Sequence, residues 1–205
     1  MTQTRIAADV TGLILSGGRG SRMDNADKGL QLLDGVPLAQ RVLARLAPQV
    51  GHVAISANRN LDEYGRFGVP VWPDDMPDYA GPLAGLQAGL ARCNTRYLST
   101  VPCDSPFLPL DLIERLMQAL VSSSADLAYA VTDGDDEKEL RAHPVFALMR
   151  ADLLPLLTAY LQSGGRKVRA WQATLNSVAV HFPDGAAFRN INSRDDLRAL
   201  EGERA

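Results

Sequence analysis

Two cysteines and three histidines are all that the 205 residues contain, and this scarcity removes whole classes of chemistry. Cys93 and Cys103 are too few and too isolated for a zinc cluster or a disulfide framework. Two buried free thiols in a reducing compartment are the expected state. No Gly-x-Ser-x-Gly elbow is present, and with so few histidines, one of them directly before Pro144, a hydrolytic triad has little to build on. No apolar run approaches membrane-spanning length, and "MTQTRIAADV" lacks the apolar core of a signal peptide. A cytoplasmic location is therefore expected, with no membrane partner. Basic residues are not in excess either: the net charge is −3, so no nucleic-acid surface is expected. An anionic ligand would need positive charge supplied locally.

What is present alternates. Short apolar runs ("TGLILS", "HVAISA", "VPVW", "RYLSTVP") read as strands, and longer amphipathic stretches between them read as helices. Leu38, Val42, Leu43 and Leu46 share one face of a helix entered at Pro37 and ending near Ala47. "LAGLQAGLARC" predicts a helix of small residues packed close to a sheet. "DLAYAVT" and "HPVFALM" predict two strands separated by a charged stretch; a helix carrying Pro155 in its first turn, the strand "SVAVHF" and a last helix from Ser193 follow. Alternation argues for an α/β fold with a mostly parallel sheet, the second half adding antiparallel pairing. One domain over residues 1–205 is expected.

Ligands of open α/β sheets bind beyond the carboxyl ends of the strands. Four unusual loops fall at such ends: residues 17–28, 58–60, 73–82 and 102–106. The first, within "LILSGGRGSRMDNADKGL", matches neither a Walker A loop nor a clean dinucleotide fingerprint. Its glycines permit close backbone approach to phosphate or base, and Arg22 and Lys28 can neutralise a polyphosphate. A solvated glycine turn explains the same residues equally well. In "PCDSPF", Asp104 stands between Pro102 and Pro106. It is either a Mg²⁺ ligand beside a phosphate loop or an ordinary turn or N-cap aspartate. Asn190 and Asn192, on a shared face if extended, point at a metal or phosphate, or Asn192 caps the last helix. Arg166, Lys167 and Arg169 behind two glycines either receive a second anion or form a helix C-cap and a solvated turn. His143, Trp72 and Trp171 read as packing residues before ligand contacts. These parts suit phosphoryl or nucleotidyl transfer, which needs positioning and charge neutralisation more than an activated side-chain nucleophile.

The segments "LILSGGRGSRM…DKGL", "SANR", "PDDMPDYAGPLAGL", "PCDSPFLP", "HPVFAL" and "NINS" occur in an order that resembles the molybdenum cofactor guanylyltransferases, over about residues 11–200. The resemblance implies a Rossmann-like three-layer nucleotidyltransferase fold, with a nucleotide-binding half at about 11–110 and a pterin-side half at about 111–200. It implies transfer of GMP from GTP to molybdopterin or molybdenum-molybdopterin, with release of pyrophosphate. Leu15, Ser16 and Gly17 would then meet the nucleotide through backbone groups. Arg22 would face the β- and γ-phosphates, Lys28, Asn58 and Asp74 would bind the nucleotide, and Asp104 would hold Mg²⁺. Asn190 and Asn192 would stand near metal and pterin phosphate, and Arg166 and Lys167 on the pterin side. Insertion proteins for the cofactor and apo-molybdoenzymes are the implied partners. The chain departs from the family at Asp24-Asn25, where two glycines are usual, at Ser193-Arg194 in place of Thr-Pro, and at Ser16 in place of a common alanine. A molybdopterin cytidylyltransferase, a sugar-phosphate nucleotidyltransferase and a non-catalytic GTP- or cofactor-carrying protein are the alternatives.

Overall fold

The computed structural model describes residues 7–16, 27–74, 81–134 and 139–202. In chain order the elements are β1 (Val10–Leu15), a 3-10 turn (Lys28–Leu30), β2 (Leu32–Leu33), β3 (Val36–Pro37), α1 (Leu38–Leu46), β4 (His52–Ser56), α2 (Leu61–Gly65) and β5 (Val71–Trp72). There follow α3 (Pro82–Arg92), β6 (Tyr97–Pro102), α4 (Leu112–Ser122), β7 (Leu127–Asp133), β8 (Leu140–Arg150), α5 (Leu154–Gln162), α6 (Val168–Gln172), β9 (Ser177–His181) and α7 (Arg194–Gly202).

Among the described residues seven strands form one sheet in the order β5-β4-β1-β6-β8-β7-β9, and β2 with β3 makes a small separate hairpin. β5, β4, β1 and β6 run parallel, as do β7 and β9; β8 alone runs against its neighbours β6 and β7. The strand order reverses direction at β1, so a crevice opens between the carboxyl ends of β1 and β6, the switch point where such sheets bind ligands.

Side chains of β1 alternate between two cores, as period-2 geometry requires. Val10 and Ile14 face a layer holding α1, Tyr64 of α2 and α4. Leu13 faces the other, with Leu83, Leu86 and Leu90 of α3, Leu157 and Leu161 of α5, and Trp171 of α6. The sheet is therefore covered on both faces, which explains why its strands read as continuous apolar runs. The small-residue helix lies close to the sheet as expected: a Cβ at Gly89 would stand 2.4 Å from Leu13 Cδ2.

Pro144 sits inside a paired strand, where a missing N–H would break a ladder. The β7–β8 register shifts there, between Tyr129–Ala147 and Ala130–His143 pairs. Two side chains serve the carbonyls the irregularity frees: Gln172 Nε2 donates to Pro144 O at 2.8 Å and Thr100 Oγ1 to Val145 O at 2.7 Å.

Several expectations are adjusted. β8 begins at Leu140, inside the stretch expected to be a charged connection, because Leu140–His143 pair with the end of β7. The basic turn after the two glycines gives way to the short helix α6, anchored by the fully buried Trp171. Cys103 is buried and Cys93 only half-buried; both are free. Among the described residues no helix is long and apolar enough to cross a membrane.

A third, smaller core joins Leu33 and Leu38 near the hairpin to Ile191, Leu197 and Leu200 at the end of the chain. α7 starts with a reciprocal cap: Ser193 Oγ accepts the Asp196 N–H at 3.0 Å, while Asp196 Oδ2 accepts the N–H groups of Ser193 and Asn192. These bonds hold the Asp196 carboxyl below the ordinary aspartate range, the Asn192 amide contributing most. Ile191 is fully buried there, so Ile191→Ala should cost about 2–5 kcal/mol of stability and Ile191→Val only about 0.5–1.5, measured by urea unfolding.

Candidate active site

The four loops singled out in the sequence follow β1, β4, β5 and β6, which lie side by side in the sheet. The carboxyl ends of these four strands therefore lie along one rim, and the described parts of the loops are residues 27–28, 58–60, 73–74, 81–82 and 102–106. Gly17 and Arg22 lie outside the described residues, as do Asp24 and Asn25.

At the tip of β1, Leu15 O accepts the Cys103 N–H at 3.1 Å and the Ser16 N–H goes to Ser56 O at 2.8 Å. The sheet thus already uses Ser16's amide, which narrows what its backbone can offer a ligand to the carbonyl. The hydroxyl of Ser16 is buried beside the Tyr64 hydroxyl and the Cys103 thiol, yet among the described residues no partner meets it at hydrogen-bonding geometry.

Asp104 is the one charged side chain in the buried set of the described residues, at 7% exposure. Its backbone O accepts the Ile191 N–H at 2.8 Å, which ties the end of β6 to the C-terminal segment. Lys28 Nζ lies 3.2 Å from Asp104 Oδ2 and donates to Asn192 Oδ1 at 2.6 Å. Burial raises the Asp104 carboxyl above the ordinary aspartate range, a shift that the Lys28 charge opposes without cancelling. Next door, burial and then the Asp104 charge push the Cys103 thiol up to about 12, so it stays protonated and unreactive.

Asn190 and Asn192 were expected to share a face. They take different partners: Asn192 bonds Lys28 of the 3-10 turn, while Asn190 Oδ1 lies 2.7 Å from Ser105 Oγ, beyond the end of β6. Ser193, not Asn192, supplies the side-chain cap of α7, leaving the Asn192 amide to face Lys28.

On the other side of β1, Asn58 and Asp74 form a reciprocal pair. Asn58 Nδ2 donates to Asp74 Oδ2 at 2.7 Å, and the Asp74 N–H donates to Asn58 Oδ1 at 2.9 Å. Asn58 thereby orients the Asp74 carboxylate.

Arg166 and Lys167 occupy an exposed turn between α5 and α6. The Arg166 guanidinium donates to Leu161 O and Gly165 O, capping α5 rather than reaching the Lys28 cluster. His143 packs: its ring stacks on Phe188 at 4.8 Å and its Nε2 lies 2.9 Å from Thr132 Oγ1. Burial, aided by Arg141, lowers its pKa and favours the neutral ring.

Sequence reading gave no role to Asp27, Asn60, Tyr64 or Ser105. The first three converge on the Lys28 turn, and their contacts span 33 and 37 residues, beyond the reach of any local spacing.

Chemically, the described residues of the rim offer one buried carboxylate, one ammonium and two amides at its β1/β6 end, and an oriented carboxylate beyond β4 and β5. Among the described residues no three His, Cys, Asp or Glu side chains could hold a metal by themselves. Mg²⁺ commonly takes one or two carboxylates and completes its shell with phosphate oxygens and water, so Asp104 fits a cation that arrives with a phosphate ligand.

A family model for the MobA-like NTP transferase domain matches residues 12–178. Proteins named molybdenum cofactor guanylyltransferase from Bordetella petrii and Ralstonia nicotianae are each 56% identical to the chain, over 94% and 96% of its length and 97% and 98% of theirs. Among solved structures, molybdopterin-guanine dinucleotide biosynthesis protein A from Archaeoglobus fulgidus superposes with a TM-score of 0.74 at 22% identity, covering 95% of this chain and 98% of that one. The 4-diphosphocytidyl-2C-methyl-D-erythritol synthase of Anaerococcus prevotii gives 0.78 at 11% identity, covering 97% and 99%. Likeness at such identities speaks for the fold, which is that of nucleotidyltransferases; identity of 56% across nearly the whole chain speaks for more. The chain belongs to the MobA-like NTP transferase family and, within it, to the molybdenum cofactor guanylyltransferases.

Proposed function

We propose that the protein transfers GMP from GTP to the terminal phosphate of molybdopterin, with or without bound molybdenum, releasing pyrophosphate. The observation that carries this reading is the junction of Lys28, Asp104 and Asn192 at the β1/β6 switch point, in a chain 56% identical to proteins of that name.

The acceptor phosphate is anionic at neutral pH, so no side chain has to create the nucleophile. The barrier lies in bringing two anions together and in stabilising charge on the leaving pyrophosphate. Lys28 brings an ammonium to that place, held by two partners and so aimed before substrate arrives. Asp104 would hold Mg²⁺, with the Asn192 and Asn190 amides beside it. Bound there, the cation would offset phosphate charge and polarise the α-phosphate. Glycine-loop backbone groups and Arg22 would complete the phosphate side. At the far end, the carboxylate of Asp74, oriented by Asn58, can accept from the N1–H and N2–H₂ donors that guanine carries and adenine lacks. A wrong base would leave that carboxylate unpaired, which is the basis of discrimination. Arg166 and Lys167 remain candidates for the pterin side through exposed charge alone.

The test is pyrophosphate release with molybdopterin, Mg²⁺ and each of GTP, CTP and ATP. GTP should support turnover at least about a hundredfold faster than ATP; equal rates with all three, or none with GTP, would refute the reading. Asp104→Ala should lower turnover by about a thousandfold or more while far-ultraviolet circular dichroism and cooperative unfolding persist. Turnover at the wild-type rate would remove the metal role.

A further inference from the structure

The ammonium of Lys28 is held by Asp104 and Asn192, but four methylenes separate it from a backbone that needs fixing of its own. That fixing is visible. Asp27 caps the 3-10 turn Lys28–Leu30, its Oδ1 accepting the Gly29 N–H at 3.2 Å. The same oxygen accepts the Tyr64 hydroxyl at 2.5 Å, and Oδ2 accepts the Asn60 side-chain amide at 3.0 Å. Asn60 presents that amide from a left-handed conformation, φ 52°, which asparagine tolerates better than most residues.

Tyr64 has no solvent exposure and belongs to the core beneath the rim. A buried phenol needs a partner for its hydroxyl, and here that partner is a carboxylate, the stronger kind of acceptor. Burial moves the phenol well above its ordinary range, so it stays protonated and donating. Space for it is reserved in the sequence: a Cβ on Gly29 would stand 2.4 Å from the Tyr64 hydroxyl oxygen. The glycine after Lys28 is thus explained by the tyrosine, not by the bend of the turn.

We propose that Tyr64, acting through Asp27, is a positioning residue for Lys28, and that the Asp27 carboxylate fixes the distance between the base end and the phosphate end of the nucleotide site. The inference rests on the role given to Lys28 above. Asn60 lies two residues beyond Asn58, which orients Asp74, and Lys28 follows Asp27 directly. One carboxylate therefore fastens the segment after β4 to the turn that carries the ammonium. Neither Tyr64 nor Asp27 needs to touch substrate for this.

Tyr64→Phe removes the hydroxyl and keeps the ring in its core. It should lower kcat by about tenfold to a hundredfold, the scale of a misplaced catalytic group, and leave the KM for GTP within about threefold. In a Lys28→Met background, measured by single-turnover kinetics, it should cost nothing further, because its effect passes through Lys28. Gly29→Ala, which displaces the same hydroxyl, should match it. Independently of activity, amide exchange of residues 27–31 should be faster in Tyr64→Phe than in wild type. Losses that multiply in the double variant, or wild-type kcat and exchange in Tyr64→Phe, would overturn the proposal. If Lys28→Met turns over normally, the role assigned to Lys28 fails instead, and the exchange measurement still decides whether Tyr64 orders the turn.

Discussion

Everything at the rim depends on one buried carboxylate and the ammonium that answers it. A buried charge without a partner is too costly to persist, so Asp104 requires Lys28, and Lys28 must be delivered from a segment 76 residues earlier in the chain. Asn192 closes the junction from the other end, 164 residues after Lys28. The fold satisfies this with ordinary means. The switch in strand order puts the end of β1 beside the end of β6, and the small core around Ile191 brings the C-terminal segment onto the same spot. The backbone bond from Ile191 to Asp104 and the reciprocal cap of α7 then leave the Asn192 side chain one place to go.

The electrostatics of this junction suit the phosphate site proposed for it. One ammonium is shared by one carboxylate and a neutral amide, and burial keeps that carboxylate harder to ionise than an ordinary aspartate. In the proposed reaction a polyphosphate and its divalent cation would bring charges of both signs to this pair. The second carboxylate, Asp74, is held on the opposite side of β1 by Asn58. In the proposed reaction the nucleotide spans from one to the other, and the Asp27 bonds set that span.

Much of this was legible in the sequence because its causes are local. Strand and helix alternation, the shaped "PCDSP" turn and the small-residue helix each follow from residue types within a few positions, and the structure places them as read. Residues whose role depends on distant partners were not legible. Asp27 looks like a loop acid until Tyr64 and Asn60 arrive from α2 and its entry. α6 was hidden because two glycines and three cations precede or interrupt its five residues, and a helix of five residues is too short for the Val168–Trp171 spacing to stand out. Arg166 read equally as part of an anion receptor or of a solvated turn; its bonds to the carbonyls of Leu161 and Gly165, at and just past the end of the preceding helix, depend on how that helix ends. The start of β8 was read as a connection because the residues that pair it, in β7, lie across a charged stretch.

The central claim is that the Lys28 ammonium, fixed between Asp104 and Asn192, receives the phosphates of a guanine nucleotide. Thermal unfolding with GTP and Mg²⁺, on the wild type and on Lys28→Met, tests it directly, since a ligand that binds only the folded chain must raise its stability. The account predicts a midpoint raised by GTP and Mg²⁺ in the wild type and most of that rise lost in Lys28→Met. An equal rise in both proteins would contradict it.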